Sequence, residues 1–182
     1  MATRLRPEPT PALDALRDDE HTTVLRNLLD AHPELRPEAE QTARHLLEAA
    51  SIEALADDVS WALDYLPLED LAARSGPIRG RGYVHENEAA WGLVSEAVEP
   101  FIADLRRRAR LGLAGAAAVV ATGIAAGLYQ AREAENGTVV AYAGPDALSD
   151  LADGVLNEAT KLGLRLPADA AENYWPEWGT LG

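Results

Sequence analysis

RRRARLGLAGAAAVVATGIAAGLYQ, Arg106 to Gln130, decides the fold. Four arginines within five residues lead into nineteen residues, Leu111 to Tyr129, that carry no charge. Nineteen uncharged residues reach the length of a transmembrane helix, and the arginines match a cytoplasmic flank. Gly123 and Gly127 even have the GxxxG spacing of membrane helix contacts. The energetics argue the other way. Only Leu111, Leu113, Val119, Val120, Ile124 and Leu128 are large aliphatics. At about −0.3 to −0.6 kcal/mol each, they supply about −2 to −4 kcal/mol of insertion drive. The rest are mostly Ala and Gly, which add little.

A soluble fold uses the same residues differently. Arg106, Arg107, Arg108 and Arg110 suit the last turn of a preceding helix, where cations complement the carbonyl end of the dipole. Gly112 then serves as a C-cap residue. Gly115, Gly123 and Gly127 fall near one face and would admit a neighbouring helix closely. A helix apolar all round is one that other helices surround. The expectation is a buried central helix, with a single membrane span at 111–129 as the alternative.

The flanking segments supply the helices to surround it. DDEHTTVLRNLLDAH opens with an acidic turn and carries Val24, Leu25, Leu28 and Leu29 at helical spacing, until Pro33 ends it. A second helix is predicted to start near Pro37 and to bury Ala39, Ala43, Leu46, Leu47 and Ala50. Ser51 reads as the N-cap of SIEALADDVSWALDYL, in which Ile52, Leu55, Ala56, Val59, Leu63 and Leu66 share a face. A short helical turn, LEDLAAR, follows Pro67. SGPIRGRGYVHE, residues 75–86, is the longest irregular loop expected. Beyond it Trp91, Val94, Val98, Phe101, Ile102 and Leu105 keep a helical stripe through Pro100, implying a kink or a restart there. Asn136-Gly137 is a stop signal, and TVVAYAG could be extended although no partner strand is evident. Pro145 opens a helix with Leu148, Leu151, Val155, Leu156 and Ala159 on one side.

The fold class expected is therefore all-α: one helical bundle, or a short α-solenoid-like domain, around the Ala/Gly-rich helix. No repeat period stands out, which favours the bundle. The organisation read is a flexible arm over 1–12, a helical domain over 13–165 and an aromatic, acidic tail over 166–182. Alanine makes up about a fifth of the chain, which suits close helix packing.

Composition excludes several chemistries. With no cysteine among 182 residues, disulfides, thiolate metal sites and cysteine nucleophiles are ruled out. GxSxG is absent and none of the five serines sits in a strand–turn–helix elbow. Gly80-Arg81-Gly82 is followed by no GK[ST]. Glu-x-x-His occurs nowhere; Asp18-x-x-His21, His45-x-x-Glu48 and His85-x-x-Glu88 are the nearest approaches. We therefore expect no catalytic residue, no metal and no cofactor. The N-terminus, rich in arginine and proline, has no apolar signal segment, so a cytoplasmic protein is expected. Arginine dominance, with Lys161 the sole lysine, points to a GC-rich bacterial genome.

The net charge of −14 repels nucleic acid phosphates and favours basic partners. Two clusters are the candidate ligand- or partner-binding residues. Arg79, Arg81, Tyr83 and His85 gather in the 75–86 loop, where guanidinium forks suit a carboxylate or phosphate. Tyr174, Trp175 and Trp178 gather in the tail, either as a docking peptide or folded back on the bundle. Trp61 and Trp91 read as core or groove residues. The function expected is a non-enzymatic acidic helical adaptor or regulator that binds a protein partner, with homo-oligomerisation a further option. A small-molecule-binding protein or enzyme with an interhelical pocket near residues 75–86 is the alternative.

Overall fold

The computed structural model describes residues 11–78, 80, 82–133 and 137–178, so most of the expected 1–12 arm lies outside the described residues. The fold is all-α, with one two-stranded hairpin among the described residues. In chain order the helices are α1 (Asp18–Ala31), α2 (Arg36–Glu48), α3 (Ile52–Asp64), α4 (Leu68–Arg74), α5 (Glu86–Arg110), α6 (Ala114–Ala131), α7 (Val139–Ala143), α8 (Ala147–Lys161) and α9 (Ala170–Tyr174). The chain divides into two compact units, 1–45 and 46–182, with the boundary inside α2.

The larger unit is built around α6. From Ala116 to Leu128 every residue except Val119 is buried, and the neighbours that cover them are α3, α5 and α8. The close approach of α3 needs Gly123 and Gly127. A Cβ on Gly127 would lie 2.6 Å from the Ala56 carbonyl oxygen and 2.6 Å from Val59 Cβ. On Gly123 it would lie 2.6 Å from Leu55 Cβ. Gly115 does not share this role: it is exposed, with nothing within 4 Å of a Cβ there. About two helical turns toward the N-terminus from Gly123, α3 no longer reaches it. The face of α3 read from sequence is the one used, with Ala56, Val59 and Leu63 buried and Ser51 capping the Ala54 N–H.

The arginine run ends a helix. α5 passes through Pro100 as one 25-residue helix and stops at Arg110. Gly112, at φ +75°, then reverses the chain: its N–H reaches the Ala109 carbonyl and the Leu113 N–H reaches that of Arg108. That bond pair is a Schellman C-cap. Three of the four guanidinium groups find partners within the unit. Arg106 binds both oxygens of Glu158 on α8, at 2.5 and 2.9 Å, and Glu99 at 2.7 Å. Arg107 and Arg108 share Asp104, and Arg108 also donates to the Leu47 carbonyl.

Asp104 feels both sides of this arrangement. Burial pushes its carboxyl up, but hydrogen bonds and charge from Arg107 and Arg108 outweigh burial and hold it below the ordinary aspartate value. Its contribution to stability is thus complete above the ordinary aspartate pKa and is lost as pH falls through the lowered one. Asp104→Asn should unfold at lower urea than the parent at neutral pH, with the deficit shrinking towards about pH 3. A deficit independent of pH would show that the carboxylate's charge is not what matters.

Three sequence expectations need correction. Residues 75–86 are not irregular: β1 (Gly76–Ile78) and β2 (Gly82–Val84) form an antiparallel hairpin, pairing Gly76 with Val84 and Ile78 with Gly82. Gly80, in the turn between the strands at φ +85°, takes a conformation that glycine adopts without strain. TVVAYAG is not extended. Thr138 caps α7 by accepting from the Ala141 N–H, and Val139, Val140 and Ala143 are buried. Burial against α5 decides its conformation. Last, the stripes of α1 and α2 are not a core. Neither helix has a buried residue; Val24, Leu25 and Leu28 are exposed, as are Ala43 and Leu46. α6 also ends at Ala131, before the stop expected at Asn136-Gly137; Asn136 itself lies outside the described residues.

Candidate functional site

The tail folds back onto the larger unit. Pro167 and Asp169 lead into α9, whose Ala170 is buried, and Trp175 follows at 2% exposure in the same core cluster. Its indole Nε1 is buried and has no hydrogen-bond partner among the described residues. Tyr174 is half-buried, and its hydroxyl donates to Glu53 at the start of α3 at 2.9 Å. Glu53 is held below its ordinary value by its own backbone N–H, then by Ser51 and Tyr174, while Tyr174 is pushed up by the same bond. Trp178 is half-buried and meets Tyr129 of α6 edge-on, with ring centroids 5.0 Å apart.

Arg132, just past the end of α6, completes this corner. Its guanidinium carbon lies 3.6 Å from the Tyr129 ring centroid, and Nη1 donates to the Tyr129 carbonyl at 2.9 Å. Nη2 pairs with Glu177 of the tail at 3.2 Å and with Glu133 at 3.1 Å. A cavity of about 380 Å³ opens here, lined by Arg132, Val140, Gly144, Pro145, Leu148 and Trp178. The wall is formed where α7 turns into α8. Asn87, in the first turn of α5, donates to the Tyr142 and Ala143 carbonyls at 3.3 and 2.7 Å and so fixes the end of α7. A second, more open hollow of about 310 Å³ lies on the other side of Gly144, against Trp91, Asp146 and Asp150.

No family model, curated protein or solved structure matches this chain. The site is therefore read from its own geometry.

The 75–86 candidates are only partly visible. Arg79 and Arg81 lie outside the described residues. Tyr83 is 65% exposed on β2 and packs edge-on against His85, which is exposed at the N-cap position of α5. The structure does bring Tyr174, Trp175 and Trp178 to one corner of the unit, with Trp175 inside the core. Trp61 departs from the expected core or groove role. It is 62% exposed and packs on Tyr65, with centroids 4.5 Å apart, because it faces away from the α6 side of α3. Among the described residues no three of His, Asp and Glu gather in a metal-binding group. The ring nitrogens of His21 lie 3.0 Å from the Arg17 and Leu13 carbonyl oxygens rather than beside Asp18.

Sequence reasoning missed Arg132, Tyr129 and Asn87. A lone arginine after a helix carries no local signal, and its partner Glu177 lies forty-five residues away. Asn87 is a polar residue in a helical first turn, where its type suggests local capping. Its actual partners are fifty-five and fifty-six residues on.

Proposed function

We propose that this is a non-enzymatic, acidic helical interaction protein, in which the N-terminal unit docks a partner helix. The observation that carries the reading is the uncovered stripe of α1. Val24, Leu25 and Leu28 are 40, 51 and 46% exposed, and neither α1 nor α2 buries a residue. A shallow cleft of about 290 Å³ runs along this face between Leu25, Leu29 and Arg36. Helices this short owe their stability to packing of an apolar face, so an unpacked stripe favours a partner. Arg26 and Arg36 line the cleft together with Asp30, but residues 11–45 carry eight Asp and Glu against four Arg, and this surplus of negative charge favours a partner whose own leucine stripe is flanked by lysine or arginine. Helix-in-groove recognition of this kind reads anchors at i, i+3, i+4 and i+7.

The same reading makes it a cytoplasmic protein of a bacterial cell. The burial of α6 by amphipathic neighbours supports that compartment over a membrane one, because a lipid-facing helix would not need them.

The test uses two synthetic amphipathic helices with the same leucine stripe, one flanked by lysines and one by glutamates. Fluorescence anisotropy with the full chain should detect the lysine peptide at least about tenfold more tightly, by charge complementarity. Leu25→Ser combined with Leu28→Ser should abolish binding of the lysine peptide while leaving the helical content of residues 46–182 intact. Equal binding of both peptides would sink the reading. So would a parent chain that runs as a dimer, by light scattering, and becomes monomeric in the double variant, since the stripe would then be covered by a second copy.

A further inference from the structure

The cavity at the tail corner sets one cation among aliphatic and aromatic side chains and exposed backbone, and its chemistry selects a ligand class. We propose that it binds a small apolar carboxylate, whose carboxylate replaces that of Glu177 on Arg132. This site lies wholly within residues 46–182 and does not depend on the docking role of α1.

Arg132 is already oriented for the task. The Tyr129 ring beneath it and the Tyr129 carbonyl fix the plane of the guanidinium, leaving Nη2 as the edge that takes carboxylates. A fixed planar fork binds carboxylates with more geometric selectivity than a mobile ammonium group. What occupies that edge at present is weakly held. Glu177 and Glu133 are 72 and 77% exposed, while Arg132 is only 23% exposed. Exposed partners of this kind contribute little, so a carboxylate delivered with its own apolar group can displace them. Val140, Pro145 and Leu148 offer the aliphatic wall, and Trp178 offers a flat one. At about 380 Å³ the space lies within the usual range for small-molecule sites. Glu177 thus acts as the protein's internal stand-in for the ligand, and the tail that carries it closes the site.

Isothermal titration of the full chain with 3-phenylpropionate, 3-phenyl-1-propanol and acetate separates the contributions. The acid should bind saturably, and the alcohol and acetate at least about tenfold more weakly, because each lacks one half of the recognition. Arg132→Gln should lose a similar factor. Because that change also loosens the tail, Glu177→Gln provides the independent arm. It keeps Arg132, removes the internal competitor, and should tighten 3-phenylpropionate by about threefold. The proposal fails if the alcohol binds as well as the acid, or if Glu177→Gln leaves affinity unchanged or weaker. It also fails if the acid shows no binding up to about 10 mM, a concentration beyond any specific site of this kind.

Discussion

Gly127→Ala should lower the urea midpoint of unfolding, with a loss of about 2–3 kcal/mol from overpacking. In an ordinary helix the same change is favourable by about 1 kcal/mol, because alanine has the higher helix propensity. Here the new methyl would meet the Ala56 carbonyl and Val59 Cβ at 2.6 Å. Neither is the far end of a flexible side chain, so α3 and α6 must part along their whole contact. Gly154→Ala on α8 is the matched control. That glycine is exposed, with nothing within 4 Å of its Cβ position, and the change should raise the midpoint by the propensity gain alone. Opposite signs for two Gly→Ala changes in helices of one protein would locate the close approach. The same sign for both would mean that α3 and α6 tolerate separation, and the argument for a tightly seated α6 would fall.

The second large effect concerns the tail. Trp175→Ala should cost about 3 kcal/mol, the low end for truncating a buried tryptophan, because the short preceding helix α9, Ala170–Tyr174, can shift into the space. The indole N–H is buried without an acceptor among the described residues, and an unpaired buried donor is itself unfavourable. Trp175→Phe should therefore be much milder than alanine. Hydrogen exchange reads the local consequence: in Trp175→Ala, amides of α9 and of the last turn of α6 should exchange faster, while α3 and the middle of α5 remain protected. If exchange at the tail is unchanged, Trp175 does not hold it down.

The central helix, its glycine spacing and the face of α3 were legible because each is a local pattern. Period 3.6 marks which side of a helix is apolar, and an isolated run of small residues marks where helices can come close. Neither says what lies opposite. α1 and α3 have comparable stripes in sequence, yet Val59 and Leu63 are buried and Leu25 and Leu28 are not. Gly115 has the same residue type and face as Gly123 but meets no neighbour. The hairpin at 76–84 and the helical turn at 139–143 were misread for a related reason. Both segments are short, and their conformation follows from what they pair with or pack on. The tail corner was the least legible, since Arg132, Tyr129 and Glu177 become a unit only when residues far apart in sequence are brought together.

The order of the helices along the chain also has a consequence in time. α3 and α5 are synthesised before α6, whereas α8 is complete only at Lys161, about 30 residues after Ala131. At bacterial and eukaryotic elongation rates that interval is about 2–6 s. A newly made α6 therefore leaves the ribosome with two walls available and a third still missing, while its apolar length resembles a segment destined for a lipid bilayer. Docking on α3 through Gly123 and Gly127 before α8 emerges would shorten that exposure. The glycine pair thus sets a folding schedule as well as a distance, and slowing translation after Ala131 would lengthen the one interval in which this chain presents a membrane-like address.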